Sequence, residues 1–234
     1  MAETFLLLSA QDRRDALGVA ADRSGRPAHL LEKDVWVVWA LSTLYAAPLG
    51  EHLVFKGGTS LSKAYQVIHR FSEDVDLTYD IRAIAPDLVG DNGEGLPKTR
   101  SEEKRWSSEV RRRLPEWDGA VVQPVISDAL ATEGLVAAVR VEGDRLFIDY
   151  EPTAVGSGYV APSVMLEFAA RSTGAGQFAR CCLRCLRPHR WPDIPDSTSA
   201  RHARRADVLG EGDRHPCLLP SGPAAWRPLR PALA

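Results

Sequence analysis

From Asp74 to Tyr79 the chain reads DVDLTY, with acidic and apolar residues alternating at a period of two. Side chains of a β-strand point alternately to its two faces, so this segment predicts a strand with Asp74 and Asp76 on one face and Val75 and Leu77 on the other. Such a strand buries only one side. Carboxylates on such a strand are costly unless they are paired or bind a metal ion.

The neighbouring segments have patterns of their own. His52 to Lys56 (HLVFK) reads as a short strand, followed by Gly57-Gly58. Thr59 to Ile68 follows with a Thr N-cap and apolar residues at Leu61, Ala64, Tyr65 and Ile68, the i, i+3, i+4, i+7 pattern of a helix. Upstream, Leu30 to Tyr45 (LLEKDVWVVWALSTLY) is apolar nearly all round after Asp34 and predicts a buried helix, ended by Pro48, Leu49 and Gly50. Glu32, Lys33 and Asp34 are expected to mark its solvated start, where capping and helix-dipole interactions suffice to explain them.

Downstream, Asp80 to Lys98 is rich in Asp, Gly and Pro and predicts a long surface loop. Thr99 and Glu102 have capping-box spacing for a helix running to about Leu114, and a second helix is expected after Pro124. Two strands, Ala138 to Val141 and Arg145 to Tyr150, flank the turn Glu142-Gly143-Asp144, and Ser163 to Ala169 (SVMLEFA) is an apolar run holding one acid, Glu167.

Carboxylates on mostly apolar strands are costly unless paired or bound to metal, and Asp74, Asp76 and Glu167 are expected on adjacent strands. Oxygen ligands of this kind suit Mg²⁺ or Mn²⁺, with water and substrate phosphates completing the shell. The glycine turn opening a helix offers phosphates backbone N–H groups and a positive dipole end at Gly57 and Gly58, with Thr59 and Ser60 as hydroxyl donors and Lys63 one turn on. Simpler readings stand beside these: an ordinary strand-to-helix turn for the glycines, a solvated helix position for Lys63, and a carboxylate partner for Arg70. No Gly-Lys-Ser/Thr closes the glycine loop, so it is not a Walker-A loop.

Taken in order, FKGGTSLSKAY, RFSEDVDLTYD and VMLEF resemble the polymerase-beta-like nucleotidyltransferase superfamily, and more closely the AbiEii/AbiGii toxin family. That family's hallmark, Lys-Gly-Gly-Thr-Ser-Leu-Ser-Lys-Ala-Tyr followed by Arg-Phe-Ser-Glu-Asp-hydrophobic-Asp-Leu, is whole here from Lys56 to Leu77. The resemblance runs from the Glu32-Lys33-Asp34 helix to Ser172. It implies an α/β (α+β) fold with a nucleotidyltransferase-type mixed sheet flanked by helices. It also implies transfer of nucleotides from an NTP to an RNA acceptor, tRNA 3′ ends in related toxins, with a cognate antitoxin as possible partner. On that resemblance Asp74 and Asp76 hold Mg²⁺ or Mn²⁺, Glu167 assists the attacking hydroxyl, and Gly57, Gly58, Thr59, Ser60 and Lys63 grip phosphates.

The composition changes sharply near residue 175. Residues 1–174 contain 18 Val and 5 Ile, whereas residues 175–234 contain only Val208 and Ile194, together with 8 of the 16 prolines and all four cysteines. The tail's 10 Arg against 5 acids leave residues 1–174 near −7, within an overall charge of −2 that predicts no global attraction to nucleic acid. A core of residues 1–174 and a poorly ordered tail of residues 175–234 are expected. Two helices that the resemblance implies after Ser172 are missing. Reading one base further along, the segment Arg205 to Pro216 permits Glu-Arg-Thr-Phe-Trp-Glu-Lys-Ala, the first of them, so the tail is expected to be a frameshifted translation that impairs activity. A zinc module from Cys182, Cys185, His189, His202, His215 and Cys217 is the rival reading, without a second C-x2-C pair. A catalytically dead remnant that holds NTP or an antitoxin is the alternative to an enzyme. The longest apolar run, Val35 to Leu41, is far short of a membrane span, and a cytoplasmic protein is expected.

Overall fold

In the computed structural model, which describes residues 5–57, 74–90, 95–154, 156 and 160–172, the acid-apolar segment lies at the heart of a five-stranded mixed sheet. Its strands are β1 (Leu53–Lys56), β2 (Asp74–Asp80), β3 (Ala137–Glu142), β4 (Arg145–Tyr150) and β5 (Ser163–Arg171), in the order β1-β2-β5-β4-β3. β2 and β5 run parallel and every other pair is antiparallel. The parallel pair is the product of the long connection between them, which carries the helices to one side.

Alternation then sorts the side chains. Val75 and Leu77 of β2, Leu146 and Ile148 of β4, and Val164, Leu166 and Phe168 of β5 are buried on one face. There they join Trp36, Val37, Ala40, Leu41 and Leu44 of helix α2 (Ala28–Ala46) in one hydrophobic cluster. Trp36 stacks on Tyr150 with ring centroids 5.0 Å apart. Helix α1 (Ala10–Ser24) packs Leu17 and Ala20 against Leu31 of α2, capped by the Ser9 hydroxyl at the Asp12 N–H and ended by Gly25 at φ 68°. None of the described helices is long and apolar enough to cross a membrane.

Three expectations are corrected. The segment 80–98 includes two single-turn helices, α3 (Ile81–Ile84) and α4 (Pro86–Val89), because the Asp80 carboxylate caps the Arg82 N–H at 2.9 Å and Arg113 grips Asp87 with two bonds of 2.6 and 2.7 Å. The helix starting at the Thr99 cap, α5 (Arg100–Trp117), does not stop at Leu114. It runs through Pro115 into a π-helical turn (Asp118–Val122) and on into α6 (Gln123–Glu133). Contacts of Trp117 with Tyr79 and Phe168, at 4.4 and 5.6 Å between centroids, hold the chain on the sheet past the proline. The third correction is Glu32, Lys33 and Asp34, which are buried in α2 rather than at a solvated start. The Glu32 carboxylate accepts the N–H groups of Thr153 (2.8 and 3.1 Å) and Ala154 (3.0 Å), so it anchors the chain leaving β4. Capping and dipole effects do not account for that role.

The β3–β4 hairpin forms as expected and one residue longer at each end of β3, closing with the pair Glu142 and Arg145 around Gly143 at φ 65°. A positive φ of this kind is the conformation that two-residue hairpin turns require.

Candidate active site

Parallel pairing of β2 with β5 sets Asp76 directly beside Glu167 and Asp74 beside Met165. Paired residues of neighbouring strands share a face, about 4.8 Å apart. Lys56 of β1 pairs with Asp76 from the other side, and Arg145 of β4 pairs with Glu167. One row across the sheet therefore reads Lys56, Asp76, Glu167, Arg145, Glu142: the adjacent carboxylates Asp76 and Glu167 lie between two cations, with a third acid on the β3 edge. The Arg145 Nε lies 3.5 Å from Glu167 Oε2. The next row reads Asp74, Met165, Phe147, Arg140.

These residues occupy the face opposite the hydrophobic cluster. Asp74, Asp76, Met165, Glu167 and Phe147 are half-buried, and Lys56, Arg145 and Arg140 are exposed. Gly57 follows β1 at φ 77°, and a Cβ placed on it would lie 1.9 Å from Asp76 Oδ2. The chain thus passes against the carboxylate so closely that no side chain fits between them. Only glycine combines that conformation with that space.

Of the residues expected to bind phosphate, Gly57 is beside Asp76, while Gly58, Thr59, Ser60 and Lys63 lie outside the described residues, as does Arg70. The cysteines and histidines of the tail lie outside them too. Among the described residues no three carboxylate, His or Cys side chains converge on one point that could hold a metal ion. The donor set is a pair, Asp74 and Asp76, on alternate positions of one strand. Mg²⁺ is bound in just this way by one or two carboxylates plus water and phosphate oxygens, so the pair fits it and a protein cage is not needed.

Some features of the structure carry little sequence signal. Arg145 follows a Gly-Asp turn and reads only as the first residue of a strand. Arg140 stands 3.9 Å above the centroid of Phe147, a contact that depends on hairpin register. Asp118 in the π-helical turn is fully buried, and its carboxylate oxygens have no hydrogen-bond partner among the described residues. Burial, with Asp144 adding to it, pushes its pKa up to about 7.

Residues 39–182, more than half of the chain, match the family model described as Nucleotidyl transferase AbiEii toxin, Type IV TA system. No curated protein matches the chain, and no solved structure does.

Proposed function

We propose a reaction for this site from one premise: the chain belongs to the AbiEii family of nucleotidyl transferase toxins of type IV toxin–antitoxin systems. The reaction is transfer of a nucleotide from an NTP to the 3′-hydroxyl of an RNA, with tRNA as the acceptor. The observation that carries it is the register that sets Asp76 beside Glu167 on an open face, with Asp74 two residues away.

In this reading the hydroxyl oxygen attacks the α-phosphorus of the NTP, the bond to the bridging oxygen breaks and pyrophosphate leaves. Glu167 accepts the hydroxyl proton, and Arg145, 3.5 Å from its Oε2, holds the carboxylate from the side away from Asp76. Asp74 and Asp76 hold the divalent cation, Mg²⁺ or Mn²⁺, which when bound supplies charge to neutralise the triphosphate. Gly57 leaves the Asp76 carboxylate room, and Gly58, Thr59, Ser60 and Lys63 bind the phosphates. A cognate antitoxin is the counterpart that a type IV system implies.

The tail belongs to the same proposal. The family match ends at Cys182, beside the composition break near residue 175, which supports a frameshifted origin for the residues beyond it. Two experiments test the reading. In a version returned to the frame that contains Glu-Arg-Thr-Phe-Trp-Glu-Lys, Asp74→Ala and Asp76→Ala each abolish Mg²⁺-dependent incorporation of labelled NTP into RNA while leaving circular dichroism unchanged. Undiminished incorporation in both variants sinks the site. Expressed side by side, the chain as it stands arrests growth and incorporates NTP at least on the order of 10²-fold less than the restored version, the usual loss when a preorganised charge contact is removed. Equal activity would show that residues 1–174 suffice and that the frameshift carries no penalty.

A further inference from the structure

Arg140 is held from three sides. Its guanidinium carbon lies 3.9 Å from the centroid of the Phe147 ring beneath it. Its Nε–H donates to Asp149 Oδ2 at 2.7 Å, and its Nη1 pairs with the Glu142 carboxylate. The two carboxylates occupy N–H groups along the edge of the guanidinium, and the ring covers one flat face. Even so, 43% of the side chain is exposed. What these contacts leave to a ligand is the flat face away from the ring, together with Nη2.

That restricts the chemistry. A phosphate would bind the N–H edge of an arginine, where two carboxylates already sit and repel it. A nucleobase stacks on the plane and is indifferent to what lies at the edge. Immobilising the plane beforehand also removes the entropy that a free arginine loses on binding.

Location supplies the second part of the argument. Arg140, Phe147, Met165 and Asp74 are in register across four strands. Three strand spacings, about 14 Å, separate the two ends of that row, a distance spanned by a terminal nucleotide and its 5′ neighbour. The adjacent row brings Glu167 between them.

We propose that the Arg140–Phe147 stack is a platform for the bases at the 3′ end of the RNA acceptor, holding that end while its hydroxyl lies at Glu167. This rests on the nucleotidyl-transfer reading above and names the acceptor site of that reaction. Recognition through a stacked plane is tolerant of base identity, so the platform positions the end without selecting its sequence.

The test is a binding measurement on the full chain, which requires no turnover. Short single-stranded RNAs carrying 2-aminopurine at the 3′ or at the 5′ end are titrated with protein, and stacking is read as quenching of its fluorescence. Quenching confined to the 3′ label is expected. Arg140→Lys keeps the charge but loses the plane, so it is expected to abolish the quenching and weaken binding on the order of tenfold. Phe147→Leu removes the floor and is expected to do the same, with thermal melts confirming that both variants fold. Arg140→Lys that binds and quenches like the parent overturns the platform, and so does equal quenching of the two labels. Asp76→Asn separates the two proposals. Quenching retained in that variant supports the platform whether or not any transfer is found. In the frame-restored chain, unchanged acceptor KM for Arg140→Lys overturns the platform while leaving the reaction standing.

Discussion

Gly57→Ala is the most discriminating single perturbation of the site, because the structure separates its cost to the fold from its cost to function. Backbone strain comes first: Gly57 has φ 77°, a conformation that costs an L-residue roughly 1–2 kcal/mol. Steric displacement comes second. The added Cβ would stand 1.9 Å from Oδ2, 2.8 Å from Cγ and 3.0 Å from Cβ of Asp76. Since Cγ is also too close, turning the carboxylate about its own axis does not clear the contact. The group has to swing away by about 1 Å or more to reach ordinary contact distance, and with the Asp76 Cβ itself 3.0 Å from the new atom the strand has to give by a few tenths of an ångström as well. A catalytic group misplaced by that much commonly loses about 10²-fold in rate. Gly57→Ala is thus expected to lower stability by about 2 kcal/mol or somewhat more while cutting metal-dependent transfer on the order of 10²-fold in the frame-restored chain. Calorimetry or a thermal melt gives the first quantity and labelled NTP incorporation the second. Mn²⁺ titration followed by electron paramagnetic resonance reports on Asp76 in the unaltered chain as well, independently of turnover. A variant that binds Mn²⁺ and transfers nucleotide like the parent would show that Asp76 is not held by this contact.

Two further predictions concern buried carboxylates of opposite kinds. Glu32→Gln replaces an acceptor of three N–H contacts with an amide whose donor side faces those N–H groups, so it is expected to cost about 1–3 kcal/mol in a denaturant melt; a change under a few tenths would refute the anchor. Asp118 has its pKa raised to about 7 by burial, with Asp144 contributing, from an ordinary value of 3.8. Between those values the folded state holds one proton more than the unfolded state, so stability is greatest at the acid end and falls as pH rises, by on the order of 4 kcal/mol across the window. Asp118→Asn is expected to flatten that slope and to raise the melting temperature at pH 8 relative to the parent, whereas parallel pH profiles for the two chains would contradict it.

Local pattern made the strands, the hairpin and α2 legible because each depends on neighbours a few residues away. The period of two in DVDLTY fixed which face of β2 is charged, and the lone acid in SVMLEFA fixed the same for β5. Pairing of these two strands was expected, and the structure places Asp76 and Glu167 side by side. What stayed hidden depends on distant partners. A Glu-Lys-Asp triplet reads as solvated until Thr153, 121 residues from Glu32, supplies the N–H that makes burial tolerable. The helix reads as ending near Leu114 because the aromatic partners of Trp117, Tyr79 and Phe168, lie on distant strands. The Arg145 and Arg140 partners depend on hairpin register, which a turn sets but a hydrophobic pattern alone does not reveal.

The row Lys56, Asp76, Glu167, Arg145 shows how such a face remains stable before any ligand arrives. Two carboxylates at strand spacing repel by about 1 kcal/mol in water and about 3 kcal/mol at the effective dielectric of a protein surface. That penalty would fall on the β2–β5 pair, the central junction of the sheet. A cation flanks the Asp76–Glu167 pair on each side, one in register with each acid, and Glu142 lies beyond Arg145 on the β3 edge. Each offers attraction of similar size to the acid it pairs with, so part of the repulsion between Asp76 and Glu167 is offset, although Arg145 is shared with Glu142. Replacing Asp76 therefore relieves repulsion at Glu167 and leaves Lys56 without its in-register partner, two effects that oppose each other in stability. In the proposed reaction there is no such compensation, since neither cation could replace a carboxylate as a metal ligand. Because the two effects oppose each other, replacing either acid is expected to leave the sheet folded, so that these variants test the proposed chemistry rather than folding.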